Sequence, residues 1–489
     1  MKTASTFYSA GCDPTVWGFN SAINDGYPFL TANYSPPIIY VKADAAGSNN
    51  GTNWTDAYSS LQTALDNAGE GHQIWVAEGT YKPTVEVGGT GDRYKTFQLK
   101  EKVKMYGGFA GNETGTDVSC RDVARRASTI GGGTVLSGDI GVTGIVTDNC
   151  YHVFYLPAGL NLCEQTVLDD FSITGGYADG SNPHNYGAGM FIQGSSPTLR
   201  HITFRNNIAT YGGGIYIREC SPTLENCLFY SNKGGNGGAI ETRQAESTMT
   251  NCTFVLNKAN ATSGHGGAIN SYLNSNLILN NCIVWGNISK TANQIYISGG
   301  GTTTLNYSCY ANGENDVLTA VSGTDMFTAT NNNLTSDPKF VNMSGYDFRL
   351  YGNSPCVNTG SNSYNTLSAD IRGEARTQNT VIDMGAFEWT NDTDPETDIA
   401  TGIDNANGRD VAHYVSTETG INVYPNPVRH QLRIANYELC EGNYSITDLS
   451  GRIVIGKRID NQCIDVSSLP AGMYIIHIEG KTGKFVKEL

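Results

Sequence analysis

The chain has 489 residues, 58 of them glycine, and a formal charge of −15 at pH 7. This length exceeds one compact core and suits either several domains or one elongated solenoid; the abundance of glycine favours short strands and tight turns over helices. The acidic charge argues against nucleic acid as a partner, and no apolar run reaches the roughly 18 residues that a transmembrane helix needs.

The first region in chain order is residues 1–36, where no signal-peptide pattern follows Met1. Residues 17–30 (WGFNSAINDGYPFL) resemble the segment that follows GLUG-type repeats in large surface proteins. The resemblance implies that residues 1–36 are the end of such a repeat region. We therefore expect Met1 to be internal to a longer protein.

A short amphipathic helix is predicted within residues 53–69, with Thr55 as its N-cap, followed by the first inner strand in residues 74–83. One helical face carries the apolar residues Leu61, Ala64, Leu65 and Ala68. Because an open solenoid end exposes strand edges, we expect the helix and strand to plug that end.

The central part of the chain repeats at a period of about 25 residues. Copies begin at Gly187, Gly212, Gly237 and Gly266, and a fainter copy covers residues 168–176. Apolar residues alternate with polar ones in short bursts, so we interpret one copy as one coil of a β-solenoid. The four predicted inward columns are Leu168, Leu199, Leu224, Met249 and Leu279; Phe171, Ile202, Cys227, Cys252 and Cys282; Ile173, Phe204, Phe229, Phe254 and Val284; and Met190, Ile215, Ile240 and Ile269.

Small and polar residues are predicted at the corners of each coil. Glycine suits a corner where a Cβ atom would clash, and stacked Asn side chains can hydrogen-bond along a ladder. The two predicted Asn columns are Asn207, Asn232, Asn257 and Asn287, and Asn226, Asn251 and Asn281. The three stacked cysteines are expected to act as small buried apolar residues, whereas Cys440 and Cys463 near the C-terminus are the better candidates for a pair.

These repeats resemble those of polymorphic outer-membrane autotransporter passengers and of other pectin-lyase-like right-handed β-helices. Residues 40–82 resemble the N-terminal cap of exported β-helix proteins, and segments within 337–389 (DPKFVN, DFRLYGNSPCVNTG and DMGAFEW) resemble the closing segment termed choice-of-anchor Q. The implied fold is all-β: a right-handed parallel β-helix over residues 37–389, with an N-terminal capping helix.

Residues 390–420 are acidic and lack periodicity, so they are predicted to be a solvated linker. Asp404, Asn407 and Asp410 lie in this stretch, but the 12-residue calcium loop with its terminal Glu is absent. No metal site or cofactor is predicted, with calcium left open.

Residues 421–489 alternate short strands with turn signals, which predicts a small antiparallel β-sandwich. The segments YPNP, DLSGR and LPAGMYIIHI and the basic end resemble the C-terminal sorting domain of type IX secretion cargo. The resemblance implies that a Gram-negative secretion machinery exports the chain. It also implies that a sortase-like peptidase removes the domain and that the mature protein stays at the outer-membrane surface or outside the cell. The residues that carry this signal are Pro425, Asn426, Pro427, Asp448, Gly451, Pro470, Gly472, Tyr474 and Lys487.

Any chemistry is expected on the outer face of the repeat strand, because the sequence holds no nucleophile-elbow, zincin, P-loop or dinucleotide motif. Alternation along a strand places two columns outward, flanked by His184 and His265: Phe191, Tyr216, Glu241 and Asn270, then Gln193, Arg218, Arg243 and Tyr272. Aromatic rings can stack on sugars, and Arg or Glu can bind their hydroxyls or carboxylates. The candidate glycan-binding residues are Tyr216, Arg218, Glu241, Arg243 and Tyr272.

Three functions remain open on this basis. The first is a non-catalytic adhesin or glycan-binding module that meets a glycan or host surface. The second is a carbohydrate-active enzyme on the same face, either a glycosidase or a polysaccharide lyase with Arg218 or Arg243 as its base. The third is a structural spacer, in which Arg218, Glu241 and Arg243 form only a solvated, salt-bridged ladder. The fold class alone does not separate them.

Overall fold

The structure is a computed structural model. It describes residues 17–18, 29–30, 37–121, 133–260, 262–311, 313, 315–320, 326–330, 332–377, 380–390, 422–424, 431–435, 442–448, 452–459, 463–470, 472–478 and 481–487. The chain forms two units, Met1–Lys339 with Leu350–Thr393 and Phe340–Arg349 with Asp394–Leu489. Of segment 1–36, only two short antiparallel strands are described, Trp17–Gly18 and Phe29–Leu30.

In the ranges given above, the first unit contains four sheets in which successive coils of the chain pair in parallel. Sheet A contains Phe154–Leu156, Met190–Gln193, Ile215–Arg218, Ile240–Arg243, Ile269–Tyr272, Ile295–Ser298 and Val317–Thr319. Sheet B contains Ile38–Val41, Gln73–Ala77, Lys104–Phe109, Val167–Asp169, Thr198–Arg200, Thr223–Glu225, Glu246–Thr250, Asn276–Asn280, Thr302–Asn306 and Met326–Ala329. Sheet C contains Gly79–Tyr81, Thr134–Ser137, Ser172–Thr174, Thr203–Arg205, Leu228–Tyr230, Thr253–Val255, Ile283–Trp285 and Cys309–Tyr310. Sheet D contains Tyr177–Ala178, Ile208–Ala209, Lys233–Gly234 and Lys258–Ala259.

This architecture is the predicted parallel β-helix, and its register matches the predicted columns. Ile215 pairs with Ile240 and Ile240 with Ile269, and all three side chains are fully buried. The other members of the four predicted inward columns are also fully buried. Phe204, Phe229 and Phe254 stack in line with 4.8 Å between successive ring centroids, the spacing of strands in a sheet. Burial of these columns is what holds one coil on the next.

The capping helix covers Leu61–Asn67, and its predicted apolar face is buried in the core of the first unit. The predicted N-cap Thr55 is wrong. Ser60 is the N-cap, and its hydroxyl accepts a hydrogen bond from the Thr63 N–H at 3.3 Å. The helix cannot begin earlier because the Tyr58 N–H donates to the carbonyl of Tyr40 in sheet B. The first strand of the β-helix is Ile38–Val41, which precedes the helix, whereas the first strand was predicted to follow it. Among the described residues, short 3-10 turns occur at Asp92–Tyr94, Val118–Cys120, Val146–Asp148 and Asn362–Tyr364.

The first predicted Asn column is a continuous amide ladder inside the corner between sheets C and D. Asn207 donates to Asn232 at 3.1 Å, Asn232 to Asn257 at 3.0 Å, and Asn257 to Asn287 at 3.0 Å. The side chains are almost wholly buried, so each amide must satisfy its polar atoms within the corner. Each of these Asn residues also donates to a backbone carbonyl of the coil before it.

The second predicted Asn column has a different set of partners. Asn226 donates to the carbonyl of Ala369 at 2.7 Å, Asn251 to the side-chain oxygen of Asn365 at 2.9 Å, and Asn281 to the carbonyl of Ser361 at 3.0 Å. The column thus binds the closing segment, which runs back along the corner between sheets B and C. Its buried Arg376 joins this contact through Asn226 and Glu388.

The second unit contains antiparallel strands, as predicted for the tail. A hairpin pairs Phe340–Asn342 with Asp347–Leu350. One sheet contains Asn422–Tyr424, Gln431–Ala435 and Cys463–Asp465, and the other contains Gly442–Asp448, Ile453–Ile459, Gly472–Ile478 and Lys481–Lys487. Cys440, one half of the pair predicted with Cys463, lies outside the described residues, as do Asp404, Asn407 and Asp410.

Substitution of a corner glycine tests whether the tight corners stabilise the stacked coils. Gly237 has φ +55, and an added Cβ atom would lie 2.3 Å from the carbonyl oxygen of Ile240. We expect Gly237→Ala to lower the free energy of unfolding by about 2–4 kcal/mol, because it combines a left-handed backbone with a steric clash. Thermal unfolding monitored by circular dichroism measures the change.

Gly69→Ala is the matched control, because an added Cβ atom there meets nothing within 4 Å. The stability of this variant should stay close to that of the wild type. Equal stability of the two variants would contradict the role assigned to the corner.

Candidate functional site

A cleft of about 350 Å³ opens on the outer face of sheet A. Its volume lies within the usual range of small-ligand sites. The residues that line it are Tyr186, Tyr211, Tyr216, Asn236, Glu241, Arg243, His265, Asn270, Tyr272, Tyr296 and Ser298. The cleft contains four of the five predicted glycan-binding residues, with Arg218 as the exception.

The floor of the cleft is the first predicted outward column. Tyr216, Glu241 and Asn270 occupy the same position on successive strands, and Tyr296 continues the column. The alternation that sends Ile215, Ile240 and Ile269 into the core sends these side chains outward. They are nonetheless only 3%, 6% and 4% exposed for Tyr216, Glu241 and Asn270. The predicted flat platform is thus a recessed floor.

One wall of the cleft comes from the residues that precede each corner glycine. Tyr186 lies over Tyr216 with 4.4 Å between ring centroids and beside Tyr211 at 5.1 Å. Further along, His265 stacks on Tyr296 at 4.5 Å. The repeat pattern predicted the floor but gave no role to Tyr186 and Tyr211. Their signal was present, since both stand immediately before a corner glycine of the repeat.

The opposite wall is the second predicted outward column, in which Arg218 pairs with Arg243 and Arg243 with Tyr272 along the sheet. Tyr272 is a solvent-exposed aromatic side chain of the site, with 41% of its surface exposed. Arg218 is directed elsewhere, because its guanidinium bonds the carboxylate of Glu219 at 3.0 Å. For Arg218, the salt-bridged interpretation therefore describes the structure better than a place in the cleft.

Glu241 is the buried carboxyl group of the floor. Burial raises its pKa to about 8, and the hydrogen bond from Asn270 offsets part of that rise. The group is therefore mostly protonated at neutral pH. One carboxyl oxygen of Glu241, the side-chain oxygen of Asn270 and the Nε of Arg243 are buried polar atoms with no hydrogen-bond partner among the described residues.

The two histidines predicted to flank the face have different positions. His265 lines the cleft, and burial lowers its pKa. His184 is buried away from the cleft, where its Nδ1 lies 3.1 Å from the Nε2 of His152. Burial lowers the pKa of His152 to about 3, so this ring pair is neutral and packs the corner of an earlier coil.

The described lining of the cleft holds several aromatic rings, one guanidinium and a single carboxyl group, Glu241. Glycoside hydrolysis ordinarily uses two carboxyl groups on either side of the scissile bond. Within the described ranges, the structure contains no group of three or more His, Cys, Asp or Glu residues arranged to hold a metal ion. None of the helices in the described part of the chain is long and apolar enough to cross a bilayer.

The predicted secretion residues lie in the second unit. The carboxylate of Asp448 accepts hydrogen bonds from the backbone N–H and the guanidinium of Arg452 at 3.1 Å. Tyr474 donates to the carbonyl of Pro470 at 3.0 Å, and Gly472 begins the strand that carries Tyr474. Lys487 ends the last strand. The remaining residues, Pro425, Asn426, Pro427 and Gly451, lie outside the described residues.

Two family models match the chain. Residues 188–369 match the right-handed β-helix region, and residues 422–489 match the secretion system C-terminal sorting domain. The chain is therefore a right-handed parallel β-helix protein that carries a type IX sorting domain at its C-terminal end. The sorting domain indicates export to the cell surface or the extracellular space.

Among solved structures, the chain is similar to the pectin methylesterase from Aspergillus niger, with 15% identity, a TM-score of 0.34, and coverage of 62% of this chain and 88% of that one. For a rhamnogalacturonan lyase the identity is 12%, the TM-score 0.36 and the coverage 62% and 90%. For pectate lyase Pel9A the values are 15%, 0.33, and 72% and 96%. Similarities this weak support no conclusion about activity. No curated protein matches the chain in sequence.

The raised pKa of Glu241 gives the fold a pH dependence of definite sign. The group is protonated up to about pH 8 in the folded chain but only up to about 4.5 in the unfolded chain. The folded state therefore binds more protons between these values, and its stability falls as the pH rises through them. We expect Glu241→Gln to remove this loss and to raise the stability at pH 8, by at most about 5 kcal/mol. Thermal unfolding at pH 5 and pH 8 measures it.

Glu219→Gln, on the same face, is the control of opposite sign. The hydrogen bond from Gln193 and the contact with Arg218 lower the pKa of Glu219, so its carboxylate stabilises the fold at high pH. This variant should gain no stability at pH 8. A Glu241→Gln variant whose midpoint changes with pH as the wild type does would contradict the assignment to Glu241.

Proposed function

We propose that this exported β-helix protein binds a carbohydrate in the cleft of sheet A, as a non-catalytic module at the cell surface. The observation that carries the proposal is the cleft itself, in which aromatic rings and a guanidinium surround a recessed polar floor. Sugar rings stack their C–H faces on aromatic side chains and hydrogen-bond their hydroxyls to polar groups, so such sites combine both kinds of residue.

Two residues are proposed as the direct contacts. The ring of Tyr272 is open to solvent at the edge of the cleft, and Arg243 stands next to it in register on the neighbouring strand. Tyr216 and Glu241 have a supporting role in the proposal, because Tyr186 covers the Tyr216 ring and Glu241 is nearly buried. A sugar that lies along the axis of the β-helix would meet several successive coils at once.

The location of the protein supports a role in contact with external glycans. The sorting domain at residues 422–489 directs the chain to the secretion machinery. We propose that a sortase-like peptidase then cuts within the acidic segment 390–420 and leaves the β-helix at the outer-membrane surface. The cleft would then face the environment, or the surface of a host or a neighbouring cell.

Binding to an oligosaccharide array, followed by calorimetry with the strongest ligand found, tests the proposal. We expect Tyr272→Ala and Arg243→Ala each to weaken binding about tenfold, the typical effect of truncating one side chain central to a binding site. The double variant should weaken it by about a hundredfold or more.

Lys233→Ala and Tyr346→Ala are the matched controls, since they remove a cation and an exposed aromatic ring from outside the cleft. Both should bind like the wild type. A chain that binds no sugar on the array would favour the structural-spacer alternative, and equal binding by the double variant and the wild type would exclude this cleft.

A carbohydrate-active enzyme is the second candidate, and one observation favours it. Glu241 is protonated at neutral pH, which is the state that a general acid requires. We expect such an enzyme to release reducing ends, or unsaturated products in the case of a lyase, from a uronate-containing or neutral polymer. Loss of that release in Glu241→Gln, with its retention in Glu219→Gln, would replace the binding proposal with the catalytic one.

A further inference from the structure

Two buried thiols meet where the closing segment joins the last strand of sheet C. Cys309 belongs to the strand Cys309–Tyr310, and Cys356 lies in the closing segment. Both side chains are fully buried, and the neighbouring Cys309 thiol is the largest cause that raises the pKa of the Cys356 thiol, so the two thiols lie close together. The repeat pattern pairs neither residue, because 46 residues separate them in the chain.

Both cysteines are tied by hydrogen bonds to one irregular segment, residues 336–339. The Cys309 thiol donates to the carbonyl of Ser336 at 3.2 Å. From the other side, the Ser354 hydroxyl donates to the carbonyl of Pro338 at 2.6 Å and accepts a hydrogen bond from the N–H of Cys356 at 3.1 Å. The two cysteines are thus both held against this segment, Cys309 directly and Cys356 through Ser354.

The stacked cysteines in the core have a less suitable arrangement. Cys227, Cys252 and Cys282 occupy equivalent positions on successive coils, and each thiol contacts a carbonyl of the preceding coil at 3.4–3.7 Å. The Cys252 thiol also interacts with the thiols of Cys227 and Cys282, so proximity alone does not separate the two sets of cysteines. Equivalent side chains on neighbouring parallel coils point in the same direction, whereas a disulfide requires Cβ atoms that converge to about 3.8 Å. Cys309 and Cys356 approach one another from different segments, so this restriction does not apply to them.

We propose that Cys309 and Cys356 form a disulfide bond during export. The inference rests on export and is independent of the carbohydrate cleft. A protein that crosses the outer membrane passes through the oxidising periplasm. In the reaction, the two thiols lose two protons and two electrons as the S–S bond forms. A disulfide oxidant, such as an oxidised dithiol protein, accepts the electrons and is reduced to two thiols.

The bond has a clear structural purpose at this position. The last coil of a solenoid has a neighbour on one side alone, so its end is where unfolding begins most easily. The closing segment is fastened to earlier coils through single hydrogen bonds such as those of Asn251 and Asn281. A covalent link between Cys309 and Cys356 would keep the closing segment in place when individual hydrogen bonds break, and it restricts the unfolded chain.

Peptide mapping of the full chain, isolated after secretion or refolded with oxidised and reduced glutathione, tests the proposal. Free thiols are alkylated in denaturant without reductant, and trypsin then cuts after Lys290, Lys339, Arg349 and Arg372. We expect peptides 291–339 and 350–372 to appear as one disulfide-linked species, because each contains a single cysteine. Cys227, Cys252 and Cys282 should be alkylated.

Thermal unfolding with and without dithiothreitol measures how much the disulfide stabilises the fold. The midpoint of the wild type should fall by several degrees on reduction, and that of a Cys309→Ser/Cys356→Ser double variant should not change. Cys227→Ser is the control and should stay sensitive to the reductant. Alkylation of both Cys309 and Cys356 in the oxidised wild-type protein, or a link from either to another cysteine, would overturn the proposal even if the double variant failed to fold.

Discussion

The structure depends on the alignment of equivalent residues on successive coils. Each coil buries little by itself, but when Ile215, Ile240 and Ile269 lie over one another they exclude water from a continuous core. The corner glycines and the Asn207–Asn287 amide ladder maintain that alignment, because the former permit the tight turn and the latter satisfies buried polar groups. A slip of one residue would send every core side chain to the outer face.

The same alignment produces the cleft. A strand that sends Ile240 inward must send Glu241 outward, so the repeat that builds the core also arranges polar and aromatic residues in columns outside it. The change from Tyr216 to Glu241 and then to Asn270 along one column places a carboxyl group among aromatic neighbours. Its burial there raises its pKa to about 8. Variation within an otherwise regular column is thus what creates a local site.

The two asparagine columns have different roles, and the closing segment contacts one of them. Asn207 and its ladder partners hydrogen-bond to each other inside the coil. Asn226, Asn251 and Asn281 instead hydrogen-bond to the closing segment, which lies 80 or more residues later in the chain. Both sets recur at the same sequence period, yet one stabilises the stack and the other fastens a returning segment to it.

The sequence by itself determined the parallel β-helix, the members of all four inward columns, the position of the cleft floor and the sorting domain, because a fixed repeat period specifies which residues stack. The tertiary structure decided the side-chain contacts that the repeat period does not specify. Tyr186 covers Tyr216 and turns a flat face into a cleft, Arg218 pairs with Glu219 outside it, and Ser60 caps the helix because Tyr58 is bonded to Tyr40. Cys356 meets Cys309 because the chain returns over its own coils. Such contacts depend on side-chain direction and on chain return, which a local repeat does not encode.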